Sequence, residues 1–146
     1  MKIDKRLTEI IEPYLEERGL RLYKLNINDN GKSGIVQVFV DGTGRQVHVE
    51  ELTELNRYLS DILDAEDMVN NSYILEVSSP GLAVLEDSRD FEFFHDRFCR
   101  VVHKNGEVKG YIRKVQNDEV TIEDKEGKKH IIKLENILKA VLDIDK

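Results

Sequence analysis

The chain has a single cysteine, Cys99, among its 146 residues. One thiol cannot build a disulfide framework, and a reducing, cytoplasmic setting is expected. None of His48, His95, His103 and His130 stands with Cys99 in a metal-ligand spacing, so no metal is expected. The opening MKIDKRLTEI lacks the apolar run of a secretion signal. No stretch approaches the roughly 18 uninterrupted apolar residues of a membrane span. Gly42-Thr43-Gly44 and Gly31-Lys32-Ser33 fall short of a phosphate loop, and no G-x-S-x-G elbow surrounds Ser78 and Ser79. Asp61, Asp64, Glu66 and Asp67 cluster without the glycine of a calcium loop, and read as a solvated surface open to a partner. No catalytic residue, cofactor or enzymatic activity is therefore expected.

A net charge of −7 argues against a general coater of nucleic acid. The charge is uneven. Residues 1–90 carry 18 acids and 10 bases, whereas residues 91–146 carry 11 acids and 12 bases. Any contact with nucleic acid should be local, and shared with a protein partner.

Leu7, Ile10, Ile11, Tyr14 and Leu15 recur at helical spacing, with Asp4 as a candidate cap, Pro13 as an interruption and Gly19 as a stop. Tyr23, Leu25 and Ile27 alternate as a strand, and Ile35 to Val40 reads as a second. Between them, Asn28 to Gly34 forms a polar hairpin loop. A helix is expected over 49–63, with Glu50, Glu51 and Glu54 favoured by its dipole. A third strand, Tyr73 to Val77, completes αββαβ: an α+β fold whose first domain, residues 1–88, sets helices on one face of a three-stranded sheet.

Residues 89–146 switch to short strands and tight turns: Phe98–His103, Val108–Val115, Val120–Glu123, His130–Leu134 and Ala140–Leu142. Asn105-Gly106 is a hairpin signal, and Gln116-Asn117-Asp118-Glu119 and Lys125-Glu126-Gly127-Lys128 read as further turns. Five short strands suggest a small closed barrel, because closure removes edges. Phe91, Phe93 and Phe94 are expected to seat one domain against the other. Lys104, Lys109, Arg113 and Lys128 are candidate phosphate contacts, two of them beside hairpin turns.

The densest local signal is Leu75-Glu76-Val77-Ser78-Ser79-Pro80-Gly81-Leu82. A β-like run stops in two hydroxyls, a proline and a glycine. Pro80 presets its φ and biases Ser79 toward extended backbone, and Gly81 accepts positive φ without strain. On its own this is a type II turn at a strand end.

This run resembles the signature of the bacterial ribosome maturation factor RimP family. The first helix, the strand ending at Val40-Asp41, the helix running into Leu63-Asp64 and the short-stranded C-terminal half follow that family's order. The resemblance implies an α/β domain followed by an SH3-like, Sm-like barrel. It implies a cytoplasmic, non-enzymatic, monomeric factor that binds the free small (30S) ribosomal subunit and assists its late assembly. Its implied partners are 16S ribosomal RNA and small-subunit ribosomal protein twelve. Ser78, Ser79, Pro80, Gly81 and Leu82 correspond to the family's most distinctive surface element. Two departures stand out. The family's Asp-Arg-Pro-Leu continuation is replaced by Ala83-Val84-Leu85, leaving Arg89 as a substitute cation. His48 stands where a Ser or Thr helix cap is usual, so a weaker or shifted helix start is expected. The alternative reading is a free-standing Sm-like or SH3-like adaptor for RNA or peptide.

Overall fold

A computed structural model describes residues 3–29, 33–66 and 72–144. The middle of the loop expected at Asn28 to Gly34, and Asp67 of the acidic cluster, lie outside these residues. The chain divides into two compact units, Met1–Pro80 and Gly81–Lys146. The division falls earlier than the expected boundary at 88. The cause is backbone pairing: the Leu85 amide donates to the Ala140 carbonyl (2.8 Å) and the Leu142 amide to the Ala83 carbonyl (2.9 Å), which ties residues 83–85 to the second unit.

The first unit runs α1 (Ile3–Glu16), β1 (Leu20–Asp29), β2 (Ser33–Gly42), α2 (Val49–Glu66) and β3 (Ser72–Ser78). β1 pairs antiparallel with β2, and β2 pairs parallel with β3, giving the order β1-β2-β3. A parallel pair needs a crossover, and α2 supplies it. The period-2 pattern of β2 sends Val36, Val38 and Val40 inward, where they meet Leu7, Ile11 and Leu15 of α1 and Leu55, Leu59 and Leu63 of α2. The helix of the first segment continues through Pro13 to Glu16, and Asp4 lies within its first turn. Gly19 ends the turn after it, with φ of +69°.

The entrance to α2 is held by charge. Arg45 donates from both terminal guanidinium nitrogens to the two oxygens of Glu51, each at 2.9 Å. Glu51 also accepts from the His48 backbone amide at 2.9 Å, half of a capping box. The helix therefore begins at Val49 as the periodicity expects, despite the poor cap at His48. The same arginine donates to the Arg18 carbonyl at 3.2 Å, and the Thr43 amide donates to the Gly19 carbonyl at 2.9 Å. The α1–β1 turn and the β2–α2 turn are thus bolted together. A side chain at Gly42 would place its Cβ 2.5 Å from the Arg45 carbonyl oxygen, so this turn closes only over glycine.

The second unit contains α3 (Ser88–Phe93), β4 (Phe98–His103), β5 (Gly106–Gln116), β6 (Glu119–Glu123), β7 (Lys129–Lys133), a 3₁₀ turn (Leu134–Asn136) and β8 (Ile137–Leu142). The five strands form one antiparallel sheet in the order β7-β6-β5-β4-β8. The expected closure into a barrel is not present among the described residues: β8 pairs with β4, and no β7–β8 ladder forms. The sheet bends instead. β5 pairs with β4 through its first half and with β6 through its second, and its register shifts between Ile112 and Lys114. At the bend, Gly110 lies so close to the Glu123 carbonyl that an added Cβ would stand 2.7 Å from its carbon and 2.9 Å from Ile122 Cγ2.

The local structure of the second unit refines the expected join and turns. α3 replaces the expected polar join; the Asp87 carboxylate caps it by accepting from the Asp90 amide at 3.1 Å. Phe91 and Phe94 are buried, and α3 packs on β5 of its own unit. The β4–β5 hairpin turns on Lys104-Asn105, with Gly106 already paired to His103, so the Asn-Gly signal is displaced by one residue. At β5–β6, both Asn117 and Asp118 take positive φ, +52° and +60°, the geometry of a type I′ hairpin turn.

Two outcomes follow from this packing. Arg45 holds the Glu51 carboxyl down to about 2, below its ordinary 4.5. A depressed carboxylate contributes stability that is present above its unfolded value and lost as pH falls through the folded one. Thermal melts should therefore show a contribution that fades from pH 4.5 toward 2 in the native chain and is absent in Glu51→Gln. Its size at neutral pH should be about 1–2 kcal/mol, less than the shift alone implies because the Arg45 side chain is 38% exposed. Gly110→Ala should cost about 1–3 kcal/mol in denaturant unfolding, as overpacking does.

Candidate functional site

The signature residues cross the division between the units, Ser78, Ser79 and Pro80 closing the first and Gly81 and Leu82 opening the second. Ser78 ends β3 opposite Phe39 of β2, and its Oγ donates to the Ser79 carbonyl at 3.0 Å. Gly81 takes φ of +64°, the left-handed value expected of the third residue of a type II turn. A Cβ there would meet nothing within 4 Å, so the glycine is required by backbone conformation and not by crowding. Leu82 is 62% exposed, a large apolar side chain presented to solvent.

The basic candidates of the second unit fall in separate places. Lys104 lies in the β4–β5 turn, where its amide donates to the Asn136 carbonyl at 3.1 Å. Lys109 stands on β5 opposite Arg100 and lines a cleft of about 410 Å³ with Phe98, Asp124, Lys125 and Asp143. Lys128 belongs to the β6–β7 turn that borders the same cleft. Its amide donates to the Asp124 carboxylate at 2.9 Å. Asp124 organises that turn, accepting also from the Glu126 amide (3.0 Å) and lying 2.9 Å from His130 Nε2. These hydrogen bonds hold its carboxyl below the usual range, His130 first among them. Lys109 lines this cleft, whereas Lys128 meets it only through its turn neighbours Asp124 to Glu126. Lys104 is at the far end of the β4–β5 ladder, and Arg89 sits on α3 with its side chain 88% exposed beside Asp87.

Arg113 is committed elsewhere. Its guanidinium donates to Asp96 at 2.8 Å and to Glu123 at 3.2 Å, and lies 4.8 Å from the Tyr111 ring centre. Asp96 has a positive φ of +65°, and its amide donates to the Ile112 carbonyl at 2.7 Å. Arg113 therefore braces the α3–β4 connection against the bend of the sheet. Sequence reasoning missed this because its partners lie 17 and 10 positions away.

Cys99 is buried, and burial first, then Asp143, pushes its thiol up to about 12, so it is no nucleophile at neutral pH. Asp64 accepts the Tyr73 hydroxyl at 2.8 Å, which gives one member of the acidic cluster a packing role. Among the described residues, no three or more His, Cys, Asp and Glu side chains could hold a metal ion. No described helix is long and apolar enough to cross a membrane.

Arg113→Ala should lower stability by about 1 kcal/mol, since the lost hydrogen bonds are charge-assisted but partly exposed. Lys109→Ala should leave it within about 0.5 kcal/mol, as surface substitutions do. Paired denaturant titrations check both.

Compared with known families, residues 10–83 match the model of the RimP N-terminal domain. The matched segment includes α2, β3 and the signature through Ala83, and it covers slightly more than half of the sequence: the chain belongs to the RimP family.

Proposed function

We propose that the protein binds the free small (30S) ribosomal subunit and assists its late assembly without catalysing a reaction. The family match carries this reading, since it places the chain in a family with a ribosome-related role. The residues support it in kind. The signature offers a conformationally fixed, solvent-facing loop, and the buried thiol offers no nucleophile. Binding alone can assist assembly by favouring one conformer of an immature particle over others.

In this reading the bent five-stranded sheet of the second domain faces 16S ribosomal RNA and small-subunit ribosomal protein twelve. Lys104, Lys109 and Lys128 supply phosphate contacts, Arg89 stands in for the arginine missing after Leu82, and Arg113 holds the surface in shape. Ser78 to Leu82 form the loop contact. The factor works in the cytoplasm as a monomer.

Sedimentation with purified free small subunits, precursor particles and intact ribosomes tests this. The chain should co-migrate with free and precursor small subunits and not with intact ribosomes. Replacing Ser79-Pro80-Gly81, or reversing Lys104, Lys109 and Lys128 to Glu, should each weaken co-migration about tenfold or more. Co-migration with intact ribosomes alone, untouched by either variant, would overturn the reading. Tight binding of short RNA or peptide by residues 91–146 alone would favour the adaptor instead.

A further inference from the structure

The β4–β5 hairpin sets a side-chain amide against an uncrowded backbone. Asn105 is exposed in the turn, and Gly106, also exposed, follows it. The turn is held through its backbone: the Asn105 amide donates to His103 Nδ1 at 3.3 Å, and the Lys104 amide to the Asn136 carbonyl at 3.1 Å. The Asn105 carboxamide itself has no hydrogen bond among the described residues, so its side chain is left to rotate. A Cβ built on Gly106 would meet nothing within 4 Å, so the space beside the Asn105–Gly106 peptide is open.

An asparagine Cγ lies within ring-closing reach of the next residue's amide nitrogen. Closure needs that amide released from its hydrogen bond and unshielded by a side chain, which only glycine lacks. Gly106 meets both conditions. It stands on the last rung of the β4–β5 ladder, opposite His103, where fraying releases an amide at the least cost. The other described asparagines do not meet them. Asn26 and Asn28 lie within β1 and Asn56 within α2, each before a residue that bears a side chain. Asn117 precedes Asp118. Asn136 precedes Ile137, whose amide is held by the Leu134 carbonyl.

We propose that Asn105 is a site of self-modification, at which attack by the Gly106 amide converts the carboxamide to a carboxylate beside Lys104. The Gly106 nitrogen gives its proton to water and bonds to Asn105 Cγ. The Cγ–Nδ2 bond breaks, and ammonia leaves with a proton drawn from water. Water then opens the cyclic imide at either carbonyl, giving aspartate or isoaspartate. One water is consumed and one ammonia released, with no oxidant, cofactor or second enzyme. The product sets a negative charge next to a lysine that the assembly reading assigns to a phosphate, and isoaspartate also lengthens the turn backbone. The charge consequence rests on that reading; the reaction does not.

The test incubates the folded full chain in mildly alkaline buffer and maps its peptides by mass, which separates Asn105 from Asn30-Gly31, outside the described residues. The Asn105 peptide should gain the mass of amide-to-acid conversion about tenfold or more faster than the Asn56 and Asn136 peptides. Its product should contain both aspartate and isoaspartate. Gly106→Ala should slow the gain about tenfold, and Asn105→Gln, which leaves the backbone unchanged, should abolish it. A rate at Asn105 no faster than at Asn56 and Asn136, or aspartate without isoaspartate, would overturn the proposal. The Asn105→Asp chain should co-sediment with free small subunits about two- to fivefold more weakly than the native chain, the worth of a surface charge pair. Equal co-sedimentation would overturn the charge consequence and spare the assembly reading. Conversion at Asn105 in a native chain that never co-sediments would uphold the modification and sink the assembly reading.

Discussion

Glu51 sits where the chain must leave an antiparallel hairpin and begin a crossover. Gripped by both arms of Arg45 and by the His48 amide, its carboxylate fixes the end of β2 and the start of α2 in one contact. α2 must then run back along the sheet before β3 can pair parallel to β2. The position of the signature follows, because Ser78 ends the strand which that crossover delivers. The pair also reaches backward, since Arg45 holds the Arg18 carbonyl and draws the α1–β1 turn onto the same anchor. A bidentate, charge-assisted pair suits this role because it fixes direction as well as distance.

The second domain is organised by short polar anchors around a bent sheet. Gly110 lets β5 approach Glu123, Asp124 gathers the amides of the β6–β7 turn, and Arg113 ties that bend to Asp96. Each acts at a point where the backbone departs from a regular ladder. The burial behind them comes from Val101, Ile112, Val120 and Ile122, which alternate inward along β4, β5 and β6. Local geometry thus sets the curvature, and apolar alternation holds the sheet on its core.

The sequence made the elements of the first domain legible because its periodicities are clean. The stripe at Leu7, Ile11 and Leu15 and the alternation at Val36, Val38 and Val40 became the two layers of one core. α3 was hidden because three phenylalanines in a polar stretch look like an interface until Asp87 is recognised as a cap with Asp90 three residues on. The capping role of Glu51 is equally local, but the helix dipole alone already accounts for an acid at that position. The Asn-Gly pair marked the right hairpin and the wrong central residues, since Gly106 serves the strand. Arg113 could not be sorted from Lys109 by sequence. Both are cations on one strand, and only the fold brings carboxylates to one of them. The open ladder order was also beyond reach, because strand count and length do not fix whether the last edges meet.

The burial of Cys99 has a practical side. Its side chain is sealed in the second domain's core, and the thiol stays protonated far above neutral pH. Burial and a raised thiol both slow its reaction with maleimides and other thiol-directed reagents while the chain stays folded. A cysteine placed at any exposed position becomes the sole labelling handle, with no need to remove the natural one and disturb its packing. Cross-linkers and spin labels can then be walked across both domains to chart their exposed surfaces.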